Sequence, residues 1–190
     1  LSFVTDYKIL PQVYCKIIKN IVNNAIYYKD KLITIVMATG REKCDSAALA
    51  SMILKDFGFN VVETKYENID VEKRKPIIST SNLPLVEKIQ LITKEIVEPI
   101  DKTKLKFVKP RFGFWGVPPN DLSILKLFPD DTHVYGWTRC VEMGVPACYE
   151  TEIMVDKNVP TVFYAQAFCA KASLAKYLSF KYNGLYVDID

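Results

Sequence analysis

The chain has 190 residues, 49% of them apolar and 25% charged, with a formal net charge of +3. That length buries a core without disulfide staples, and the interspersed charges exclude a disordered chain. The small charge excess, with VEKRKP (71–76) as the longest basic cluster, argues against a dedicated nucleic-acid binder.

The predicted elements alternate. Residues 11–27 carry Val13, Ile17, Ile18, Ile21, Val22 and Ala25 at helical spacing behind a proline suited to the first turn. LITIVMA (32–38) is a continuous apolar run, expected to be a strand buried on both faces. A helix follows from Asp45, with Ala48, Leu49, Met52 and Ile53 as its core stripe and Gly58 as its stop. FNVVETKYE (59–67) and PIISTS (76–81) read as strands, and residues 83–97 as a helix behind Asn82. LKFV (105–108) is a short strand and DLSILKLF (121–128) a short helix stopped by Pro129. THVYGW (132–137), ETEIMV (150–155) and TVFYA (161–165) read as strands, then a helix spans 168–182 and LYVDID (185–190) closes the chain.

This order predicts one α/β domain over residues 1–190: a three-layer sandwich whose mostly parallel sheet has helices on both faces. Three strands between 131 and 165 without a long helix imply an antiparallel pair, hence a mixed sheet.

No apolar run approaches the ~20 residues that span a bilayer, and LSFVTDYKIL lacks the order of an export signal. The expected location is the cytoplasm, where the five cysteines (Cys15, Cys44, Cys140, Cys148, Cys169) stay reduced as buried hydrophobes, metal ligands or reactive thiols.

In open α/β sheets ligands collect outside the carboxyl ends of strands, where helix N-termini favour anions. The loop ATGREKCDSAAL places Thr39, Gly40, Arg41, Lys43 and Ser46 at such a point. It has neither the Walker spacing nor a dinucleotide glycine fingerprint. STSN (79–82) is a second polar loop expected at that edge. Cys44 and Cys169 each precede a predicted helix, where amides and neighbouring cations favour a thiolate; Cys140 follows an arginine in GWTRC. On a single parallel sheet the three would emerge from one edge and form a metal site, with an iron–sulfur cluster as the expected cofactor. One cysteine from each of three α/β units resembles quinolinate synthase and the diphthamide-forming iron–sulfur enzymes in layout, without a motif of either. No C-x-x-C occurs, so a zinc ribbon is not expected.

The segment 109–150 holds both tryptophans, the one histidine and half of the prolines. Phe112, Trp115 and Trp137 are candidates to hold a planar ring, with Arg111 and Arg139 binding its anionic groups. His133 is a candidate proton carrier, and Asp188 and Asp190 are candidate edge carboxylates. The expected function is binding of an anionic, planar small molecule at the strand edge beside a thiolate-held metal. Two alternatives are a cofactor-free enzyme with Cys169 or Cys44 as nucleophile, and a non-catalytic binding or homo-oligomer subunit.

Overall fold

The computed structural model describes residues 10, 14–40, 43–64, 72–167, 169 and 171–189. The chain divides into two compact units, residues 1–67 and 68–190. Their strands form two sheets.

In the first unit, helix α1 (Lys16–Tyr27) precedes a β-α-β motif of β1 (Ile35–Ala38), α2 (Asp45–Asp56) and β2 (Val61–Thr64). Both strands run parallel, in the register Ile35↔Val61 to Ala38↔Thr64. Ile18, Val22 and Ala25 of α1 fall at helical spacing and pack with Met37, Ala50, Leu54 and Phe59 in one core. Gly58, at φ +80°, turns the chain after α2 into β2. Period-two alternation sends Val36 and Val62 to the other face, where they are 64% and 48% exposed. The expectation that β1 is buried on both faces is therefore corrected: its helices cover one face only.

In the second unit, β3 (Phe112–Trp115), β4 (Thr132–Tyr135), β5 (Thr161–Gln166) and β6 (Leu185–Ile189) form a sheet in the order β4-β3-β5-β6. Every pairing is parallel. Phe114, Val134 and Tyr164 share one face and pack with Leu85 and Ile89 of α3 (Leu85–Lys94) and Leu125 of a 3-10 helix (Leu122–Leu127). Trp115, Tyr135 and Phe163 share the other face and pack with Ala175 and Leu178 of α6 (Lys171–Lys181). Helices thus cover both faces of this sheet, giving the expected α/β sandwich with parallel strands.

Several local expectations change. RFGFW supplies the interior strand β3, although its glycine and the preceding proline locally describe a loop. Residues 77–80 form a turn rather than a strand, and Ser81 meets Phe107 in a single antiparallel bridge. The reason is Glu142: its buried carboxylate accepts hydrogen bonds from the Ile78 amide (2.6 Å), the Ser79 amide (2.9 Å) and the Ser79 hydroxyl (2.5 Å). Those amides are then unavailable to a ladder. THVYGW ends as a strand at Tyr135, because Gly136 adopts φ +71° and opens α4 (Gly136–Glu142). ETEIMV begins in a helical turn, α5 (Tyr149–Glu152). These helices carry the crossover from β4 to β5, so the expected antiparallel pair is replaced by parallel neighbours.

The outer edge of β4 is closed by neighbouring backbone. The Val134 amide donates to Ser79 O (3.0 Å), and Val108 donates in turn to Thr80 O (3.1 Å). Lys88 of α3, fully buried, donates to Asp130 O (2.8 Å) and Thr132 O (2.6 Å) and so pins the turn that enters β4.

Candidate functional site

In the second unit, β4 lies on one side of β3 and β5 on the other, so the strand order reverses between β3 and β5. Such a reversal opens a crevice outside the carboxyl ends of the strands. The loops there begin at Gly116 and Ala167. Gly116 sits at φ +155°, and a Cβ there would lie 2.4 Å from the Tyr164 carbonyl oxygen, so only glycine fits. Its own carbonyl accepts from the Thr138 hydroxyl (2.8 Å), which ties the end of β3 to α4.

Cys169 follows β5 into this region. Its amide donates to Gln166 O (2.9 Å) and its carbonyl accepts from the Ala172 amide (2.8 Å), which starts α6. The thiol-before-helix pattern thus occurs as expected, and Cys44 repeats it as the exposed N-cap of α2. The two cysteines belong to different sheets, so no common sheet edge unites them. Cys140 departs further from the expectation. It lies inside α4, is fully buried, and burial pushes its thiol up to about 12. The carboxylate of Glu152 adds to that rise, outweighing Arg139. Cys140 therefore stays a protonated thiol at neutral pH, its sulfur 3.9 Å from the Cys148 carbonyl. Among the described residues no three His, Cys, Asp or Glu side chains are placed to hold a metal ion.

The aromatic segment also redistributes. Trp115 is 1% exposed; its indole N–H donates to Glu152 O (2.7 Å) and its ring tilts against Phe163 at 6.0 Å. It is core, because β3 is the central strand. Trp137 is half-buried in α4. Arg111 precedes β3 and pairs with Asp131, whereas Arg139 follows β4. Since β3 and β4 run parallel, the two arginines lie at opposite ends of the sheet, about 13 Å of strand apart, and cannot grip one small ring. His133 is buried in β4, and its Nε2 lies 2.7 Å from the Val108 carbonyl. That partner accepts only, so Nε2 carries the proton. Burial lowers its pKa and keeps the ring neutral.

In the first unit, Thr39 is buried beside Thr64, its amide donating to the Thr64 carbonyl (3.0 Å), and Gly40 takes φ +112°. Ser46 accepts a hydrogen bond from the Tyr14 hydroxyl (3.1 Å). Lys43 is half-buried just before Cys44. Arg41 lies outside the described residues, as does Asp190. Asp188 is exposed and accepts from the Tyr186 hydroxyl (3.2 Å).

A cavity of about 590 Å³ opens on the second unit, lined among others by Tyr135, Arg139, Tyr149, Met154, Asp156 and Tyr182. Arg139 stands out electrostatically. Its guanidinium carbon lies 4.7 Å from the Tyr135 ring centroid, and Nη2 donates to the carbonyls of Thr151 (3.3 Å) and Met154. Nε is buried without a hydrogen-bond partner, and no carboxylate among the described residues pairs with the group. Burial lowers its pKa. By contrast, Glu152 is fully buried but paired, its Oε2 2.5 Å from Lys171 Nζ at the start of α6. The sequence contained Arg139 as a candidate but not this cavity, whose other walls come from 149–156 and the end of α6.

No helix among the described residues is long and apolar enough to cross a membrane. No protein-family model matches this chain, and neither the curated proteins nor the solved structures give a match.

Proposed function

We propose that the protein binds an anionic, ring-bearing small molecule in the cavity beside Arg139. The observation that carries this reading is a mostly buried guanidinium that forms no ion pair with a carboxylate among the described residues. A charge held away from water without a counter-ion is costly, and a ligand anion at Nη1 would supply the partner. Tyr135, Tyr149 and Tyr182 give flat walls for a ring, and the volume suits a small organic ligand. Glu150 and Asp156 also line the space, so the ligand's far side carries hydrogen-bond donors rather than a second anion. Glu150 is 85% exposed and lies 3.7 Å from Lys73, which moderates its repulsion.

Thermal-shift titration with paired aromatic probes tests this: benzoate against benzamide, and nucleoside monophosphates against nucleosides. The anionic members should stabilise the protein and the neutral ones should not. Arg139→Gln should weaken binding about tenfold to a hundredfold, the worth of one charged hydrogen bond. Equal effects of charged and neutral probes, or undiminished binding to Arg139→Gln, would refute the reading.

A further inference from the structure

The stretch Lys104-Leu-Lys-Phe-Val-Lys-Pro-Arg-Phe112 interleaves cations with aromatics, and its surroundings hold it in place. Phe107 bridges Ser81, Asn82 donates its amide to Lys106 O (3.1 Å), and Val108 donates to Thr80 O. His133 fixes the Val108 carbonyl and meets the Phe107 ring edge-on at 5.7 Å. The segment is thus fastened to the sheet edge through its backbone, while Lys104, Lys106, Phe107 and Lys109 are exposed and Leu105 and Val108 are partly covered. Phe107 is 73% exposed and Phe112 40%. Both figures are high for phenylalanines on a rigid segment, where burial would normally claim them.

Charge points the same way. Residues 101–111 contain five cations against one carboxylate, Asp101. Lys102 is held by Glu95 (2.6 Å), and Arg111 by Asp131. Lys104, Lys106 and Lys109 are exposed and have no ion-pair partner among the described residues. Glu95 also lies 3.7 Å from Arg74, which brings a second basic stretch, Lys73 to Lys75, alongside Lys102. A contiguous basic block is absent because the lysines alternate with other residues, yet each of the three lies within three residues of the exposed Phe107. The opposing acids nearby are Asp101, Asp130 and Asp131. Asp131 is spent on Arg111 and largely covered.

We propose that this strip is a docking surface for single-stranded nucleic acid, with Lys104, Lys106 and Lys109 on phosphates and Phe107 stacking on a base. Cations alone would fit any polyanion. The exposed ring beside them selects a partner with flat apolar faces, because base–aromatic stacking is tolerant of sequence and independent of hydrogen-bond readout. Three phosphate contacts predict that the logarithm of affinity falls with the logarithm of salt at a slope of about −2.

The test is fluorescence anisotropy of a labelled oligothymidine across a salt series, with the full chain and three variants. Binding with a slope near −2 is expected. Phe107→Ala should weaken it about tenfold or more, as the loss of one stacked base. Phe107→Trp should retain it. The triple variant K104Q/K106Q/K109Q should flatten the salt slope and remove most affinity. All substituted side chains are exposed, so unchanged circular dichroism and melting show that folding is not at issue. No binding to the oligonucleotide overturns the proposal. So does binding that ignores Phe107→Ala, or a polyglutamate peptide that competes as well as the oligonucleotide, since either would make the strip a surface for acidic protein.

Discussion

Lys88 offers the sharpest physical test of the fold. Its ammonium is fully buried, and desolvation lowers its pKa from 10.5 to about 8 despite the opposing pull of Asp130 and Asp131. Two carbonyls receive its protons, those of Asp130 and Thr132. Between pH 8 and 10.5 the unfolded chain holds this proton more tightly than the folded one. Stability therefore rises with pH through that window, and below pH 8 the full penalty is in force. The difference between the unfolded and folded values corresponds to about 3 kcal/mol. Between pH 7 and pH 10 most of it, about 2 to 3 kcal/mol, is recovered.

Lys88→Met removes the titrating group but keeps much of the apolar stem. Urea unfolding of both proteins at pH 7, 8, 9 and 10 isolates the effect, because other titrations cancel in the difference. The wild type should gain about 2 to 3 kcal/mol relative to the variant between pH 7 and 10. The orphaned carbonyls shift the absolute stability of the variant by a constant amount, leaving the slope untouched. A pH-independent difference would mean that Lys88 titrates normally and that its ammonium is not held dry behind β4.

Other consequences follow from the same geometry. Glu142→Ala orphans the buried Ile78 and Ser79 amides and should cost about 3 kcal/mol or more in denaturant unfolding; a loss below about 1 kcal/mol would show that the 77–80 turn holds itself. Gly116→Ala drives a methyl group into the Tyr164 carbonyl at a positive φ and should lower the melting temperature by several degrees or more, an expectation refuted by an unchanged melt. Alkylation with iodoacetamide at pH 7.5, mapped by mass spectrometry, should modify exposed Cys44 rapidly and leave Cys140 untouched until the protein unfolds. Early labelling of Cys140 would show that α4 opens.

How much of the architecture was legible depended on where each signal resides. Helices α1 and α3 announce themselves through local periodicity, because their apolar faces are properties of a single segment. Helix α2 is marked by its stop at Gly58, but its expected core stripe is corrected, since Ala50 and Leu54 are buried whereas Ala48 and Met52 are exposed. Helix α6 has no comparable one-sided apolar face. Strands β4, β5 and β6 are short apolar runs and were legible for the same reason. The errors fall where a distant residue decides the outcome. PIISTS has the composition of a strand, yet the carboxylate of Glu142, some sixty positions later, takes its amides. RFGFW contains a glycine and follows a proline, which locally describes a loop. Gly113 is needed because a Cβ would meet the Thr161 hydroxyl at 2.4 Å and the Tyr135 ring at 2.6 Å on neighbouring strands. Its reason is tertiary, so no local pattern could carry it.

The candidate site shows the same division. Sequence correctly placed thiols before α2 and α6, since capping positions are local. Convergence of those thiols assumed a single sheet, and sheet membership depends on pairings that a list of strands does not contain. GWTRC looked like a thiolate beside a cation; in the fold, α4 turns Cys140 into the core and Arg139 towards the cavity. The adjacent pair therefore divides its roles: burial favours the neutral state of the cysteine, whereas the arginine, still charged, forms no ion pair among the described residues. That asymmetry shifts the chemical interest from sulfur to guanidinium. It also orders the experiments, because Arg139→Gln must change anion binding if the cavity is functional, while Cys140→Ser at neutral pH perturbs packing without removing a charge.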